Sequence, residues 1–201
     1  MMGNLSGARI AIALTGSFCT LQAVFDVLPA LRAAGAELTP ILSGAVVTMD
    51  TRFFTARKVR ETIEDICGRA ALTTIPEVEP IGPKRMFDLI VVAPCTGNTC
   101  AKLSLGIADT SVTMACKSQL RNQRPVLIGL STNDALAAGA RNMGVLMARK
   151  QIYFIPLGQD DPAAKPSSMV FHASRLQEAA GAALAGRQMQ PLLVAWGERD
   201  S

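Results

Sequence analysis

Two cysteines stand close together in the segment APCTGNTCAK, residues 93–102, and they raise the question of metal or redox chemistry. Four residues separate Cys95 from Cys100, but no second Cys or His pair follows at the spacing of a zinc site. The only histidine, His172, is distant in sequence, so Cys95 lacks a neighbouring base that would activate it as a nucleophile. The five cysteines are odd in number and scattered, which argues against a disulfide framework. The sequence therefore predicts no metal site and indicates that Cys95 and Cys100 are packing residues.

The other residues of this segment are typical of a loop whose backbone lies against a ligand. Pro94 cannot extend the ladder of a central strand, so it marks the point where the preceding apolar run FDLIVV ends. Thr96, Gly97 and Asn98 then open a helix, with Thr99 in its first turn. The Asn98 side chain can cap this helix or hydrogen-bond the edge of a planar ring, and the sequence leaves both roles open.

A second ligand loop is predicted at Thr15, Gly16 and Ser17, which join an apolar run to a helical pattern. Gly16 permits a tight turn, Ser17 is a favoured N-cap, and a helix N-terminus presents free N–H groups to an anion. Ser43 follows the next apolar run and could help to hold the same group. The pattern is not GxGxxG, so the dinucleotide fingerprint is absent. These residues predict a phosphate site, with an ordinary strand–turn–helix connection as the open alternative.

The charge pattern excludes some classes of partner. The formal net charge is only +4, no dense Lys/Arg tract occurs, and one Trp, one Tyr and seven Phe offer few platforms for stacking on bases. We therefore expect a small anionic ligand and no nucleic acid. No apolar run reaches the roughly 18 residues of a membrane span, and the N-terminus lacks the features of a secretory signal. These absences lead us to expect a cytoplasmic protein without membrane contact.

Strands and helices alternate along the chain, and this order determines where the loops lie. The strand-like runs are apolar throughout, which indicates a sheet covered on both faces. We predict a three-layer α/β fold, a Rossmann-like or flavodoxin-like parallel sheet with helices on both faces. Ligands in such folds bind at the carboxyl ends of the strands. The predicted strands span residues 8–14, 37–42, 87–94, 124–130 and 151–156.

Helical patterns and connecting segments complete the organisation. Residues 73–85 are expected to form a loop with at most a short strand, and residues 157–170 a Pro-rich loop. Residues 1–186 are predicted as one domain and residues 187–201 as a C-terminal tail. The helices are predicted at residues 18–35, 55–68, 100–120 with a break near Gly106, 133–150 and 174–186.

The loop residues carry a resemblance to a known family. The segment APCTGNT, with Pro94, Asn98 and Thr99 matching, is similar to the Pro-Ala-Ser-Ala-Asn-Thr loop of the flavoprotein family of homo-oligomeric flavin-containing cysteine decarboxylases. The TGS turn resembles the turn that holds the FMN phosphate in that family. The resemblance covers residues 8–156 and implies a homo-oligomer, a trimer or a higher assembly, with FMN at the boundary between two copies. It implies FMN contacts from Thr15, Gly16, Ser17, Ser43, Pro94, Thr96, Gly97, Asn98 and Thr99.

Residues 120–170 narrow this resemblance to one branch of the family. The strings RNQRPV, STNDAL and YFIPLGQDDPAAKPSSMV are similar to those of the B subunits of dipicolinate synthases. That resemblance implies a partner, the A subunit of dipicolinate synthase. It also implies oxidation of a dihydrodipicolinate-level precursor to dipicolinate (pyridine-2,6-dicarboxylate) during sporulation, in the cytoplasm of the mother cell. A flavin is suited to accept a hydride from such a dihydropyridine. The alternative that the A subunit performs the oxidation with NADP stays open.

Departures from the decarboxylases bear on the substrate. That family uses a His after its second helical region, whereas this chain has none before His172. Of the family's Pro-Ala-Met-Asn substrate clamp only Asn133 is kept. The expected contacts for a dicarboxylate are Asn133 with Arg121, Arg124 and Lys165, although each cation alone is also typical of a solvated surface. His172 is expected first to begin a helix and second to donate a proton. No catalytic residue is assigned.

Two other functions stay open from the sequence. The same fold could serve an FMN-dependent decarboxylase of a cysteinyl substrate, which the loop motif favours and the missing His disfavours. The chain could also be a non-catalytic component that retains the fold and stabilises the A subunit.

Overall fold

A computed structural model describes residues 5–195, which contain seven strands and nine α-helices. The strands are β1 (Arg9–Leu14), β2 (Glu37–Leu42), β3 (Leu89–Cys95), β4 (Val126–Thr132), β5 (Ile152–Phe154), β6 (Leu157–Asp161) and β7 (Lys165–Phe171). The helices are α1 (Leu21–Ala33), α2 (Gly44–Thr48), α3 (Ala56–Cys67), α4 (Ile75–Val78), α5 (Ile81–Lys84), α6 (Gly97–Leu105), α7 (Ser111–Arg121), α8 (Gly139–Met147) and α9 (Leu176–Leu184).

The strands form one sheet in the order β2-β1-β3-β4-β7-β6, and β5 also pairs with β4. Strands β1 to β5 are parallel, as the apolar runs predict. β5 pairs with the first half of β4, and β7 pairs antiparallel with its last two residues, Ser131 and Thr132. The predicted Rossmann-like α/β fold is thus confirmed, with an antiparallel hairpin added at one edge.

The connections place helices on both faces of the sheet. The chain moves from β1 to β2 in one direction along the sheet and from β3 to β4 in the other. Because such parallel crossovers are right-handed, α1 and α7 cover opposite faces. α9 packs beside α1, and α4 and α5 pack against α7. The core lies between these layers, and β3 is buried along its whole length.

The main error of the sequence prediction lies at residues 157–170, which were expected to form a Pro-rich loop. They form β6 and most of β7, an antiparallel hairpin. The two prolines misled the prediction, but both sit where the ladder tolerates them. Pro162 lies in the turn, and Pro166 lies opposite the register shift between Gln159 and Asp161, where the regular pairing is interrupted.

Two smaller differences concern helix boundaries. The helix expected from residue 133 begins only at Gly139, because the backbone oxygen of Asp134 accepts the N–H groups of Ala137 and Gly139 in a turn. Residues 73–85, expected as a loop, contain the short helices α4 and α5. A capping box between Thr74 and Glu77 starts the first of them.

The segment after α9 packs against the hairpin edge of the sheet. The side chain of Gln188 bonds to the backbone of Phe154 in both directions, at 2.8 Å each, and Leu193 forms a bridge with Leu157. Residues 196–201 of the predicted tail lie outside the described residues. Within residues 5–195, no helix is both long and apolar enough to cross a membrane.

Candidate functional site

A cleft opens where β1, β3 and β4 reach their carboxyl ends, the edge at which such folds bind ligands. The main cleft has a volume of 870 Å³ and is bounded by the loops after these strands, the loop after α2, and the β6–β7 hairpin. A side pocket of 390 Å³ lies between the β1 loop, the start of α2 and the start of α6. The two cavities share Gly16, Phe18 and Thr96. Their sizes fall in the range of small-molecule sites, about 300–1,000 Å³.

The buried hydroxyl of Thr15 joins the two predicted ligand loops. Its Oγ1 donates to the backbone oxygen of Pro94 at 2.8 Å and accepts the N–H of Thr96 at 2.9 Å. Thr15 is 1% exposed, so these bonds are shielded from water. Pro94 lies where the register between β3 and β4 shifts, so its oxygen is available to the loop. Thr15 therefore holds the loop after β1 against the loop after β3.

A second hydroxyl contact ties the β1 loop to β4. Ser17 Oγ donates to Ser131 Oγ at 2.9 Å, and Thr20 Oγ1 donates to the Ser17 backbone oxygen at 2.9 Å. All three side chains line the main cleft. Ser131 was not identified from the sequence, although its place at the end of a buried strand is a signal that could have found it. The floor of the cleft is thus a set of mutually ordered hydroxyl groups.

The start of α6 forms the wall between the two cavities. Thr96 is its N-cap and accepts the N–H of Thr99 at 3.1 Å, as expected for a helix start in this loop. Gly97 is required by close packing, because a Cβ there would lie 2.6 Å from Thr132 Oγ1. Asn98 is exposed and lines the side pocket. The backbone of this loop therefore approaches β4 as closely as a glycine permits.

The side pocket contains a buried polar group with no partner. Ser43 is 8% exposed, and its Oγ makes no hydrogen bond to any residue of the described chain. Such a group costs about 1–3 kcal/mol when it stays unsatisfied. Gly16 and Thr99 line the same pocket. An anionic acceptor with several oxygens, such as a phosphate, fits a pocket with this unpartnered donor and the first turn of a nine-residue helix.

Two cations, Lys165 and Arg52, line the main cleft. Lys165 Nζ lies 2.6 Å from Asp160 Oδ2, and this hydrogen bond raises the lysine pKa above its usual value. Arg52 lies in the loop after α2 and was not identified from the sequence, since that loop matches no motif. Asn133 is exposed and lines the same cleft, directly after the end of β4.

Arg121 and Arg124, the other two predicted substrate contacts, lie outside the main cleft. The expectation that they share one site with Asn133 and Lys165 is therefore corrected. Arg124 precedes β4, so it lies at the amino end of the sheet, where its Nη1 is 2.9 Å from Asp88 Oδ1. Arg121 ends α7 and lines a separate surface pocket with Lys117 and Lys84. The segment RNQR connects a helix to the start of a strand, and such a connection lies opposite the carboxyl ends.

His172 occupies the N-cap position of a short 3₁₀ turn, Ala173–Arg175, before α9. This confirms its expected role in beginning a helix. Its Nε2 lies close to Gly158 of β6, and it is absent from the lining of both cavities. The geometry therefore gives no support to a proton-donor role.

The cysteines of the opening segment are buried in the core, as expected of packing residues. Burial raises the pKa of the Cys100 thiol to about 11 and raises the pKa of the Cys95 thiol well above its usual value. Neither thiol is therefore ionised near neutral pH. Cys19 lies outside that segment; it is exposed, unlike the other four cysteines, and it lines the main cleft. Among residues 5–195, no group of three or more His, Cys, Asp or Glu side chains could hold a metal ion.

The same arrangement of strands and loops occurs in known proteins. The B subunit of dipicolinate synthase from Bacillus subtilis (strain 168) is 45% identical over 193 residues, which cover 96% of each chain. The crystal structure of the dipicolinate synthase B subunit from Bacillus halodurans C superimposes with a TM-score of 0.88 at 41% identity, over 96% of this chain and 98% of that one.

More distant structures share the fold alone. The FMN-dependent cysteine decarboxylase SpaF has a TM-score of 0.66 at 23% identity, over 90% of this chain and 97% of that one. A model of the Flavoprotein family matches residues 2–171, which include every strand and both ligand loops described above. The chain therefore belongs to the Flavoprotein family.

Proposed function

We propose that this protein is the B-type component of a dipicolinate synthase, that it binds FMN, and that with an A-type partner it oxidises a dihydrodipicolinate-level precursor to dipicolinate during sporulation. The relative from Bacillus subtilis, matched over 96% of both chains, supports the assignment to this enzyme. The observation that carries the cofactor part is the unpartnered, buried hydroxyl of Ser43 in the side pocket.

The side pocket suits the phosphate of FMN. Ser43 Oγ would donate to it, and Gly16 and the first turn of α6 at Asn98 and Thr99 would complete the contacts. Ser17, of the same turn as Gly16, lines the main cleft and would contact the cofactor from there. Pro94, Thr15, Thr96 and Gly97 act through the loop backbone that they position. When bound, the flavin supplies the capacity to accept a hydride from a dihydropyridine.

The main cleft, next to that pocket, would hold the substrate. Its hydroxyl groups, Ser17 and Ser131, already bond to each other and so are fixed in position. Lys165 and the Asn133 amide both line the cleft and can donate hydrogen bonds to carboxylates. Met169 of β7 supplies apolar surface to the lining, which limits the access of water.

The partner and the assembly belong to the same proposal. The A subunit of dipicolinate synthase would contribute a second active component, with NADP as its nucleotide. Copies of the present chain would form a homo-oligomer, a trimer or larger. The expected location is the cytoplasm of the mother cell. Residues 1–186 would act as the single cofactor-binding domain, followed by the tail.

Ser43→Ala tests the cofactor site directly. We expect FMN to bind about tenfold more weakly, since one hydrogen bond to a charged group is lost. The apo protein should lose no stability, because the removed hydroxyl has no partner. FMN titration by fluorescence quenching and urea unfolding of the apo protein measure the two effects.

Ser111→Ala is the matched control for this test. Ser111 is also buried, but its Oγ donates to the Leu42 backbone oxygen at 2.6 Å and lies outside the side pocket. The control should lose stability and keep FMN affinity. If Ser43→Ala leaves FMN affinity unchanged, or if the wild type takes up no FMN, the proposed cofactor site is refuted.

The enzyme assignment is tested by reconstitution. Dipicolinate formation is measured with the isolated A subunit, in the presence and in the absence of this chain, and we expect product only from the pair. Full activity of the A subunit without this chain would refute the assignment. A CO₂-release assay on a peptide with a C-terminal cysteine tests the decarboxylase alternative, and we expect no release.

A further inference from the structure

The loop after α2 presents Arg52 to the main cleft on a fixed backbone. Thr51 Oγ1 accepts the N–H groups of Phe53 and Phe54 at 3.2 Å each, and the Thr51 N–H donates to the Phe54 oxygen at 2.8 Å. Phe54 packs edge-on against Phe25 of α1, with ring centroids 5.9 Å apart. These contacts close a tight turn and anchor it to the core, so Arg52 projects from a rigid base.

The Arg52 guanidinium is held but not neutralised. Its central carbon lies 4.8 Å from the centroid of the Phe53 ring, a cation–π contact that orders the side chain and leaves the charge in place. The acidic residue nearest in sequence, Asp50, instead accepts the N–H of Ala56 at 2.8 Å and so caps α3. Within the described chain, Arg52 has no carboxylate within ion-pair distance.

The second cation of the cleft differs in this respect. The Lys165 ammonium is paired with Asp160 at 2.6 Å, so much of its charge is offset. Arg52 is absent from the lining of the side pocket with Ser43. The unneutralised charge therefore belongs to the main cleft, and not to the proposed phosphate pocket.

We propose that Arg52 determines substrate specificity by binding one carboxylate of a dicarboxylate ligand in the main cleft. A planar guanidinium can form two parallel hydrogen bonds to a carboxylate, and its preordered position lowers the entropic cost of forming them. Lys165 and Asn133, elsewhere in the lining, would contact the second carboxylate. This inference rests on the proposed function for the identity of the ligand, and on the geometry for the role of Arg52.

Calorimetric titration of the full chain, loaded with FMN, tests the proposal with three probes: pyridine-2,6-dicarboxylate, pyridine-2-carboxylate and glutarate. The wild type should prefer the dicarboxylates. Arg52→Gln should weaken their binding by about tenfold to a hundredfold and reduce the preference over the monocarboxylate, since charged hydrogen bonds are lost. Arg52→Lys, which keeps the charge without the planar fork, should give an intermediate loss.

Arg57→Gln is the matched control. It removes the same formal charge five residues away, on the exposed face of α3, where Arg57 pairs with Glu61 at 3.7 Å. Its effect should stay below about twofold, because salt screens an exposed charge outside the cleft. If the two Gln variants weaken binding equally, or if Arg52→Gln lowers all three affinities by one factor, the role of Arg52 is refuted.

The outcomes separate this inference from the proposed function. If glutarate binds through Arg52 while the pyridine dicarboxylate does not bind, the inference stands and the dipicolinate assignment falls. If reconstituted dipicolinate synthesis proceeds with unchanged KM in Arg52→Gln, the assignment stands and the inference is overturned. Binding of none of the probes to the wild type also overturns it.

Discussion

The two ends of the parallel sheet use polar groups in opposite ways. At the amino end, the Asp88 carboxylate bonds to the Arg9 side chain at 2.9 and 3.2 Å and to Arg124 at 2.9 Å, so its charge is fully matched. At the carboxyl end, and within residues 5–195, Ser43 has a buried hydroxyl without a partner and Arg52 has a charge without a counterion. The amino end pairs the charges of Arg9, Asp88 and Arg124 internally, whereas the carboxyl end leaves donors free for a ligand.

This difference is expected of a protein in which one edge stabilises the fold and the other binds ligands. An unsatisfied buried group lowers the stability of the free protein, and a protein tolerates it where function requires it. The comparison predicts different responses to substitution at the two ends, in stability at one end and in ligand binding at the other.

Thr15→Val is expected to have the largest effect. Unlike Ser43 and Arg52 at the same end of the sheet, Thr15 has its polar group fully hydrogen-bonded within the chain. The substitution keeps the shape of the side chain but removes the buried bond to the Pro94 oxygen and leaves the partly buried N–H of Thr96 without its acceptor. We expect a loss of about 2–3 kcal/mol in the free energy of unfolding, together with weaker FMN binding as the two loops separate. Urea unfolding of the apo protein and an FMN titration measure both.

Thr39→Val is the control for this prediction. Thr39 is buried on the neighbouring strand β2, and its hydroxyl makes no hydrogen bond within residues 5–195. The control should be neutral or stabilising. Equal losses in the two variants would mean that the loop contact through Thr15 contributes nothing specific.

Asp88→Asn is expected to have the next largest effect, at the amino end. Hydrogen bonds from the Arg9 side chain, opposed by partial burial, lower the Asp88 pKa to about 2. A carboxyl group whose pKa is lowered by folding stabilises the protein above its unfolded pKa, and this contribution is lost as the pH falls through the folded value. Because the Asp88 side chain is 32% exposed, we expect a loss of about 1–2 kcal/mol near neutral pH.

Unfolding by urea at several pH values distinguishes this contribution from others. The stability difference between the wild type and Asp88→Asn should be constant above about pH 5 and should shrink as the pH falls toward 2. Glu37→Gln is the control, since Glu37 and Arg69 form an exposed pair and should contribute little. A difference that does not change with pH would show that the ionised form of Asp88 is not the source.

The sequence could predict the ligand loops because their positions follow from the strand pattern. Apolar runs identify parallel strands, and the residues after each run must lie at one edge of the sheet. This reasoning brings Thr15, Ser43 and Thr96 together without any structural information. The same reasoning, applied to the residue before a run, could have assigned Arg124 to the amino end.

Other parts of the cleft depend on contacts that no local pattern records. Arg52 lies in a turn fixed by Thr51 and by the packing of Phe54 on Phe25, residues far apart in sequence. The hairpin of β6 and β7 is short and polar at its tip, so proline and charge concealed its strands. Its pairing with β4 at Ser131 is a tertiary contact, and this contact brings Lys165 to the cleft.

Asp160→Asn is expected to have the smallest effect on stability and sharpens the comparison at the carboxyl end. The pair between Asp160 and Lys165 is exposed, so its loss should leave the thermal unfolding midpoint unchanged. The lysine would then carry an unmatched charge, and pyridine-2,6-dicarboxylate should bind a few-fold more tightly. Asp161→Asn is the control, because Asp161 accepts the turn N–H of Ala164. Its carboxylate raises the Lys165 pKa only through charge, whereas that of Asp160 also forms the hydrogen bond at 2.6 Å. Tighter binding only in Asp160→Asn would mean that Asp160 partly neutralises Lys165 in the free protein. A carboxylate of the ligand must then compete with Asp160 for the lysine. Unchanged binding would mean that, of the two cations that line the cleft, only Arg52 contacts a carboxylate of the ligand.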